Sequence, residues 1–463
     1  MGDTSSSKGG SQPKGKISLA AAVAIGIGGM VGAGVFSVLG VAAESAKNAL
    51  WLSFAIGGII TLFSTYSYSK LGVKYPSAGG AVEFLVRGFG DNVLSGGINI
   101  YLWIGYVIAI ALYAMGFSSY FATFFTANPS TLFLRGVAVA VVLLFTLVNF
   151  LGAQYVGRSE TVIVAIKIAI LVLFAGVGLF FVKGQNLSPS GWPGIGGILA
   201  GTGVLFIGYE GFGLVTNTAG DMKDPEKMLP RALYTSLFLV VLIYLAVSIT
   251  VSGNLTTTQI AASRDYALAE AAKPFLGNFG FKLIAIAALF STASAINATL
   301  FGGANASYII AKRGELPKVF DRTAWKGSTD GLFITAGLVV AFVLLFDLSG
   351  IAMMGSGAFL LIYGVVNIGH LRIAGKTGAN RAMVAVAVAL CLGMFVLLSV
   401  DMFRESKPSF IAMFALLAAA FLAEWAYRRF TGRRLHALSR SDDGNSSTPA
   451  ALSPDAVRKQ APS

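Results

Sequence analysis

The sequence predicts an all-α membrane protein of about twelve transmembrane helices. Three observations predict it. Of 463 residues, 55% are hydrophobic and 12% are charged, against about 25% charged in a soluble domain. The mean hydropathy is +0.75. The apolar residues are gathered into stretches of roughly twenty, the length a helix needs to cross the hydrocarbon of a bilayer. The same numbers exclude a disordered chain and a collagen-like one, and a single cysteine, Cys391, excludes a disulfide scaffold.

Residues 1–16 are polar and rich in Gly and Ser. They have no apolar core and no small-residue cleavage site, so they read as a disordered tail and not as a signal peptide. The spans follow near Ile17–Ala42, Ala49–Leu71, Val93–Thr126, Leu132–Gly152, Thr161–Val182, Ile195–Ala219, Arg231–Val251, Phe279–Ala311, Leu332–Phe346, Gly350–Leu371, Ala382–Val400 and Ser409–Tyr427. The third and eighth are long enough to tilt or to project beyond the bilayer. Residues 431–463 are polar again and read as a second disordered tail.

The net charge of +13 invites a nucleic-acid reading, but its placement argues against one. With the N-terminus inside, 25 of the 34 Lys and Arg residues fall on cytoplasmic segments and 8 on outside loops. That bias orients the chain in the cell membrane with both termini cytoplasmic. It makes the lipid bilayer the partner of the charge and leaves nucleic acid none. Two histidines, His370 and His436, and one cysteine give a metal or haem site almost no ligands, and no cofactor is expected.

Two spans are interrupted by glycine. The first reads Gly26-Ile27-Gly28-Gly29-Met30-Val31-Gly32-Ala33-Gly34-Val35-Phe36, and the sixth carries glycine at 201, 203, 208, 211 and 213. Either alone could mean close helix packing, since Gly28 and Gly32 form a small-xxx-small pair. Together they lie five spans apart. Five is odd, so the second set of five spans runs with topology opposite to the first. Paired interruptions in two inverted halves are the pattern of secondary transporters with a midplane site. Unwound backbone exposes N–H and C=O groups that lipid cannot satisfy. A half-helix N-terminus favours a carboxylate and a C-terminus favours a cation. A zwitterion satisfies both.

The motifs between these spans resemble those of the amino acid–polyamine–organocation (APC) superfamily. The matching stretches are Gly32–Phe36 in span 1, Tyr75-Pro76-Ser77-Ala78-Gly79-Gly80 after span 2 and Phe206–Phe212 in span 6. They continue with Asp221–Pro225 through Leu229-Pro230-Arg231, and Ala311–Pro317 at the end of span 8. The resemblance covers residues 17–376. It implies a LeuT-type fold of two inverted five-span repeats, 17–182 and 183–376, with two additional spans in 377–430. It also implies a small-molecule amino acid substrate held between spans 1, 3, 6, 8 and 10. On that resemblance the backbone amides of Ala33, Gly34 and Val35 hold a carboxylate, the carbonyls of Met30 and Ile207 hold an ammonium, and Phe206 and Tyr209 shape the pocket. The tryptophan gate that arginine/agmatine exchangers carry near Val204 is missing here, and Ala33 replaces a frequent serine. The loop Ala127–Phe133 has no cysteine, so no disulfide-linked subunit is expected.

Lys167 lies in mid-span, about 13 Å beyond Arg158 at 1.5 Å per residue, which is far for snorkelling. A mid-membrane lysine costs at least about 2.5–3.5 kcal/mol and requires a compensating environment. In proton-coupled relatives a lysine at this place occupies the position where sodium-coupled relatives bind sodium. By that resemblance its partners here are Gly28, Gly29, Ser291 and Ser294, and protons are the coupling ion. Glu210, in the span 6 interruption, is either a proton carrier or counter-charge for a cationic substrate, or a gating carboxylate held by freed N–H groups. Tyr106 and Tyr363 are candidate pocket or gate residues. Asn149 and Asn297 read as interhelical hydrogen bonds, and Glu83 and Arg87, one turn apart, as a salt bridge on an amphipathic stretch. There is no catalytic His/Asp/Glu or Ser/His cluster, no P-loop and no repeated pore loop, so an enzyme, an ATP-driven pump and a channel are all disfavoured. The expected function is proton-coupled uptake of neutral amino acids by alternating access. The alternative is exchange of cationic amino acids or polyamines with Glu210 as counter-charge.

Overall fold

A computed structural model describes residues 17–32, 34–126, 128–151, 156–312, 316 and 330–431. The two tails, Ala33 and most of the segment after span 8 lie outside the described residues. Among the described residues there is no β-strand. An isolated bridge joins Ile17 to Met222 and ties the start of span 1 to the end of span 6. Ten helical runs are long and apolar enough to cross a membrane. One of them joins spans 1 and 2, and the shorter apolar helix Asp330–Leu345 is span 9, so the twelve expected spans are present.

Span 1 is two helices, 1a (Leu19–Met30) and 1b (Gly34–Ala46). Ser18 caps 1a by accepting from the Ala21 amide, which satisfies one of the free N–H groups of its first turn. Span 2 is Leu50–Lys74, and a short amphipathic helix, Ala81–Phe89, follows it. Span 3 (Val93–Ala122) starts at a reciprocal cap between Asn92 and Ser95. Spans 4 and 5 are Thr131–Leu151 and Val156–Gly178.

The second half begins with 6a (Ile195–Leu205), which passes at Phe206 into a sixteen-residue 3-10 helix, 6b (Phe206–Asp221). The interruption expected from the glycines is thus a change of helix type and not a gap. A 3-10 run of this length is unusual, since such runs seldom exceed three or four residues. Span 7 is Pro225–Asn254, and a pair of short helices, Thr257–Ala262 and Ala267–Glu270, bridges to span 8. Span 8 (Lys273–Lys312) bends at Gly277, whose φ of 59° suits glycine. Spans 10, 11 and 12 are Leu348–Thr377, Arg381–Glu405 and Lys407–Thr431.

Burial separates inner from outer spans. Spans 3, 6 and 10 are mostly buried, while spans 4, 11 and 12 present large apolar side chains such as Leu132, Phe403 and Leu422 outward. In water such a surface would aggregate, and in a bilayer it faces lipid. Four of the five pairs of spans five apart pack on one another. Half 1b lies on 6a and half 1a on 6b, span 2 lies on span 7, span 3 on span 8 and span 4 on span 9.

Candidate functional site

The two interrupted spans meet backbone to backbone at two pairs of glycines. A Cβ placed on Gly34 would lie 2.3 Å from the Gly208 Cα, and one on Gly211 would lie 2.2 Å from the Gly29 carbonyl carbon. Both distances are far inside van der Waals contact, so only glycine permits this approach. Backbone groups released at the crossing find partners on neighbouring spans. The Tyr244 hydroxyl of span 7 reaches the Met30 carbonyl at 2.6 Å and the Gly208 carbonyl at 2.8 Å. The Ser356 hydroxyl of span 10 accepts from the Ile207 amide and donates to the Val204 carbonyl, at 3.0 and 2.7 Å. The Tyr363 hydroxyl donates to the Glu210 carbonyl at 2.8 Å.

A polar cluster stands behind the break in span 1. Lys167, 2% exposed, donates from Nζ to the Gly28 carbonyl at 3.1 Å. Gly28 lets span 5 come this close, because a Cβ there would meet Val164 at 2.9 Å. The Ser291 hydroxyl of span 8 reaches the Val31 carbonyl at 3.1 Å and also the Gly32 carbonyl. Spans 5 and 8 therefore both bind carbonyls freed by the end of 1a. Ser294, one turn further along span 8, is half-buried. Gly29 is used instead in the contact with Gly211.

The residues expected to hold substrate fall into two groups. Met30, Gly34, Val35, Phe206, Ile207 and Tyr209 are buried at the crossing. The Tyr209 hydroxyl donates to the Phe54 carbonyl at 2.8 Å, so its ring turns toward spans 2 and 7. Ala33 lies outside the described residues. Glu210 and Tyr106 form the second group. They line a cavity of about 70 Å³ between span 2, the 81–89 helix, spans 3, 6b, 8 and 10. At about 10–15 Å³ per water this is room for several waters.

Tyr363 and Phe359 also line the cavity, as do Tyr68, Asn217 and Asn305, which the sequence reading did not single out. Tyr68 packs against Phe84, Phe212 and Tyr363 with ring centroids 5.2–5.5 Å apart. Its hydroxyl is buried without a hydrogen-bond partner among the described residues. A tyrosine in place of phenylalanine inside an apolar span was the available signal. Glu210 is the single charged residue in the lining and has no ion pair among the described residues. Two smaller expectations take structural form. The Asn149 amide donates to the Asn297 carbonyl oxygen at 2.8 Å, and Arg87 pairs with Glu83 at 2.6 Å.

Known proteins agree with this architecture. The sequence profile described as amino acid permease matches residues 17–422. An uncharacterized protein of Methanocaldococcus jannaschii is 39% identical over 90% of this chain and 96% of its own. The inner membrane transport protein YbaT of Escherichia coli is 31% identical over 88% of this chain and 95% of its own. The branched-chain amino acid permease BcaP of Bacillus subtilis is 26% identical over 63% of this chain and 66% of its own. A crossing of two interrupted helices bound by polar groups, in a twelve-span apolar chain with these relatives, belongs to a transporter and not to an enzyme: the chain is a member of the amino acid permease family, within the APC superfamily.

Proposed function

We propose that the chain is a secondary active transporter that takes up neutral amino acids together with protons by alternating access. The observation that carries the coupling is the buried ammonium of Lys167 on the Gly28 carbonyl. A buried lysine that loses its proton withdraws a charge-assisted hydrogen bond from the end of 1a. Protonation of span 5 and the position of span 1 are then linked. The branched-chain permease among the relatives supports a neutral substrate. So do the small or apolar residues around the crossing, Val31, Val204 and Ala295. The packing of spans 1 to 4 on spans 6 to 9 in the same order supports two inverted repeats, 17–182 and 183–376. The excess of Lys and Arg on one set of loops supports cytoplasmic termini in the cell membrane. In that orientation the cavity lies on the cytoplasmic side of the crossing.

The test is uptake of a panel of labelled amino acids into proteoliposomes, with and without an inward proton gradient and without sodium. Accumulation of neutral amino acids that requires the gradient is the expected result, and gradient-independent uptake overturns the coupling. One observation favours a second reading: Glu210 faces the cavity without a cationic partner among the described residues. On this reading the substrate is a cationic amino acid or polyamine, moved by exchange. Glu210→Gln then abolishes recognition of the cation and spares neutral substrates.

A further inference from the structure

The end of span 2 and the start of span 11 meet at one rim of the molecule. Span 2 has no acidic residue, and span 11 has none before Asp401 near its far end. Lys70 and Arg381 at this rim have no ion pair among the described residues. The Tyr66 hydroxyl of span 2 accepts from the Asn380 amide, which heads span 11, at 2.8 Å. Its own proton has no acceptor among the described residues. The Asn380 side-chain oxygen is taken by the Ala382 amide at 2.9 Å, which leaves its NH2 group to donate. Lys70 follows Tyr66 by one helical turn and Arg381 follows Asn380 directly, so an ammonium and a guanidinium flank the bond. The side-chain groups left over at this corner are donors, two of them charged. Nearer the membrane centre, Ile59 and Leu62 of span 2 and Met383 and Val386 of span 11 are exposed, an apolar surface that suits lipid.

We propose that Tyr66, Lys70, Asn380 and Arg381 form a binding site for an anionic phospholipid. The donors hold its phosphate, and its acyl chains lie on the outward faces of spans 2 and 11. A phosphodiester presents acceptor oxygens and one negative charge, the complement of this corner. A zwitterionic headgroup also brings an ammonium, which Lys70 and Arg381 repel. Tyr66 stands where a span meets water, the level at which an amphipathic ring is favoured. In the proposed orientation this is the cytoplasmic leaflet, whose anionic headgroups attract Lys and Arg at span ends. The lipid would also bear on the crossing, because span 2 holds Tyr209 of 6b through the Phe54 carbonyl.

The experiment is native mass spectrometry of the purified full-length protein in detergent. It is titrated with dioleoylphosphatidylglycerol and, separately, with dioleoylphosphatidylcholine. Tighter binding of phosphatidylglycerol is expected. Lys70→Gln and Arg381→Gln are each expected to weaken it about fivefold, and together about tenfold or more, with phosphatidylcholine unchanged. Either single variant carries the test if the double variant fails to fold. Lys183→Gln with Lys282→Gln removes the same charge near the opposite membrane face and is expected to leave phosphatidylglycerol binding as it was. Lys70→Arg with Arg381→Lys keeps the charge and is expected to keep the binding. Equal binding of the two lipids, or affinity unchanged in the folded Gln variants, overturns the proposal. So does an equal loss in the opposite-face pair, which would make net charge the cause. Glycerol phosphate that displaces phosphatidylglycerol at equal concentration overturns a lipid as the occupant. Uptake is not the readout, so the site stands or falls separately from the transport reading.

Discussion

Lys167 and Tyr244 both bind carbonyls at the end of 1a, and each has a measurable consequence. Losing a hydrogen bond to a charged donor costs about 1.5–3 kcal/mol, which as a barrier is about a ten- to hundredfold loss of rate. Lys167→Ala is therefore expected to reduce proton-driven uptake by about that factor. Unchanged uptake and pH response in reconstituted protein would show that the lysine is structural. Tyr244→Phe keeps the ring that packs on Phe54 and Tyr209. It leaves the Met30 and Gly208 carbonyls without their donor. The expected cost is about 1–3 kcal/mol of stability, read as a lowered unfolding temperature in nanodiscs. At this scale Lys167 was legible in the sequence, because a lone charge in an apolar span must be answered by something. Tyr68, Tyr244 and Ser356 were not. A single hydroxyl in a span acquires its role from the helix opposite, and that partner is fixed by tertiary packing.

Among the elements, the crossing helices are the most constrained. Gly211→Ala would drive a methyl into the Gly29 backbone. Overpacking of this kind costs about 1–3 kcal/mol or more, so a strong fall in thermal stability is expected; an unshifted transition would mean that the helices separate freely. On the outer side by the proposed orientation, Arg264 joins the loop after span 7 to the end of 1b. It pairs with Glu44 at 3.2 Å and with Asp265 at 3.1 Å. Partial burial pulls its pKa down, but the two carboxylates outweigh that and raise it, so the charge persists. Exposed pairs of this kind are worth about 0.2–1 kcal/mol and weaken with salt. Arg264→Ala should thus speed amide exchange across residues 257–270 with little global loss of stability, and a high-salt buffer should reproduce part of the effect. The spans themselves were readable from apolar run length. The short helices of this loop were not, since a four- to six-residue turn has no period to detect. The helix type of 6b was hidden for a different reason: glycine spacing marks where α geometry fails without saying what replaces it.

At the scale of the whole chain, the charge bias makes a prediction about sidedness. Ala379→Cys, between spans 10 and 11, should label only from the cytoplasmic side of intact cells after permeabilisation. Gln185→Cys, between spans 5 and 6, should label from outside without it. Cys391 is buried and gives little background. The reverse pattern would invert the proposed orientation and place the cavity on the outer face. The last span is fastened to span 3 by charge as well as by packing. Glu424, 0% exposed, pairs with Arg428 at 2.6 Å, and Arg428 also holds Asp91, just before span 3.

The bare contact of spans 1 and 6 has a mechanical consequence. Most packed helices interlock, side-chain ridges seated in grooves, and turning one against the other means lifting every ridge out of its seat. Where Gly29 meets Gly211 and Gly34 meets Gly208 there is nothing to lift. The two rods meet there as a bearing and not as gears, and what resists their rotation is the Lys167 ammonium and a handful of hydroxyls on spans 7, 8 and 10.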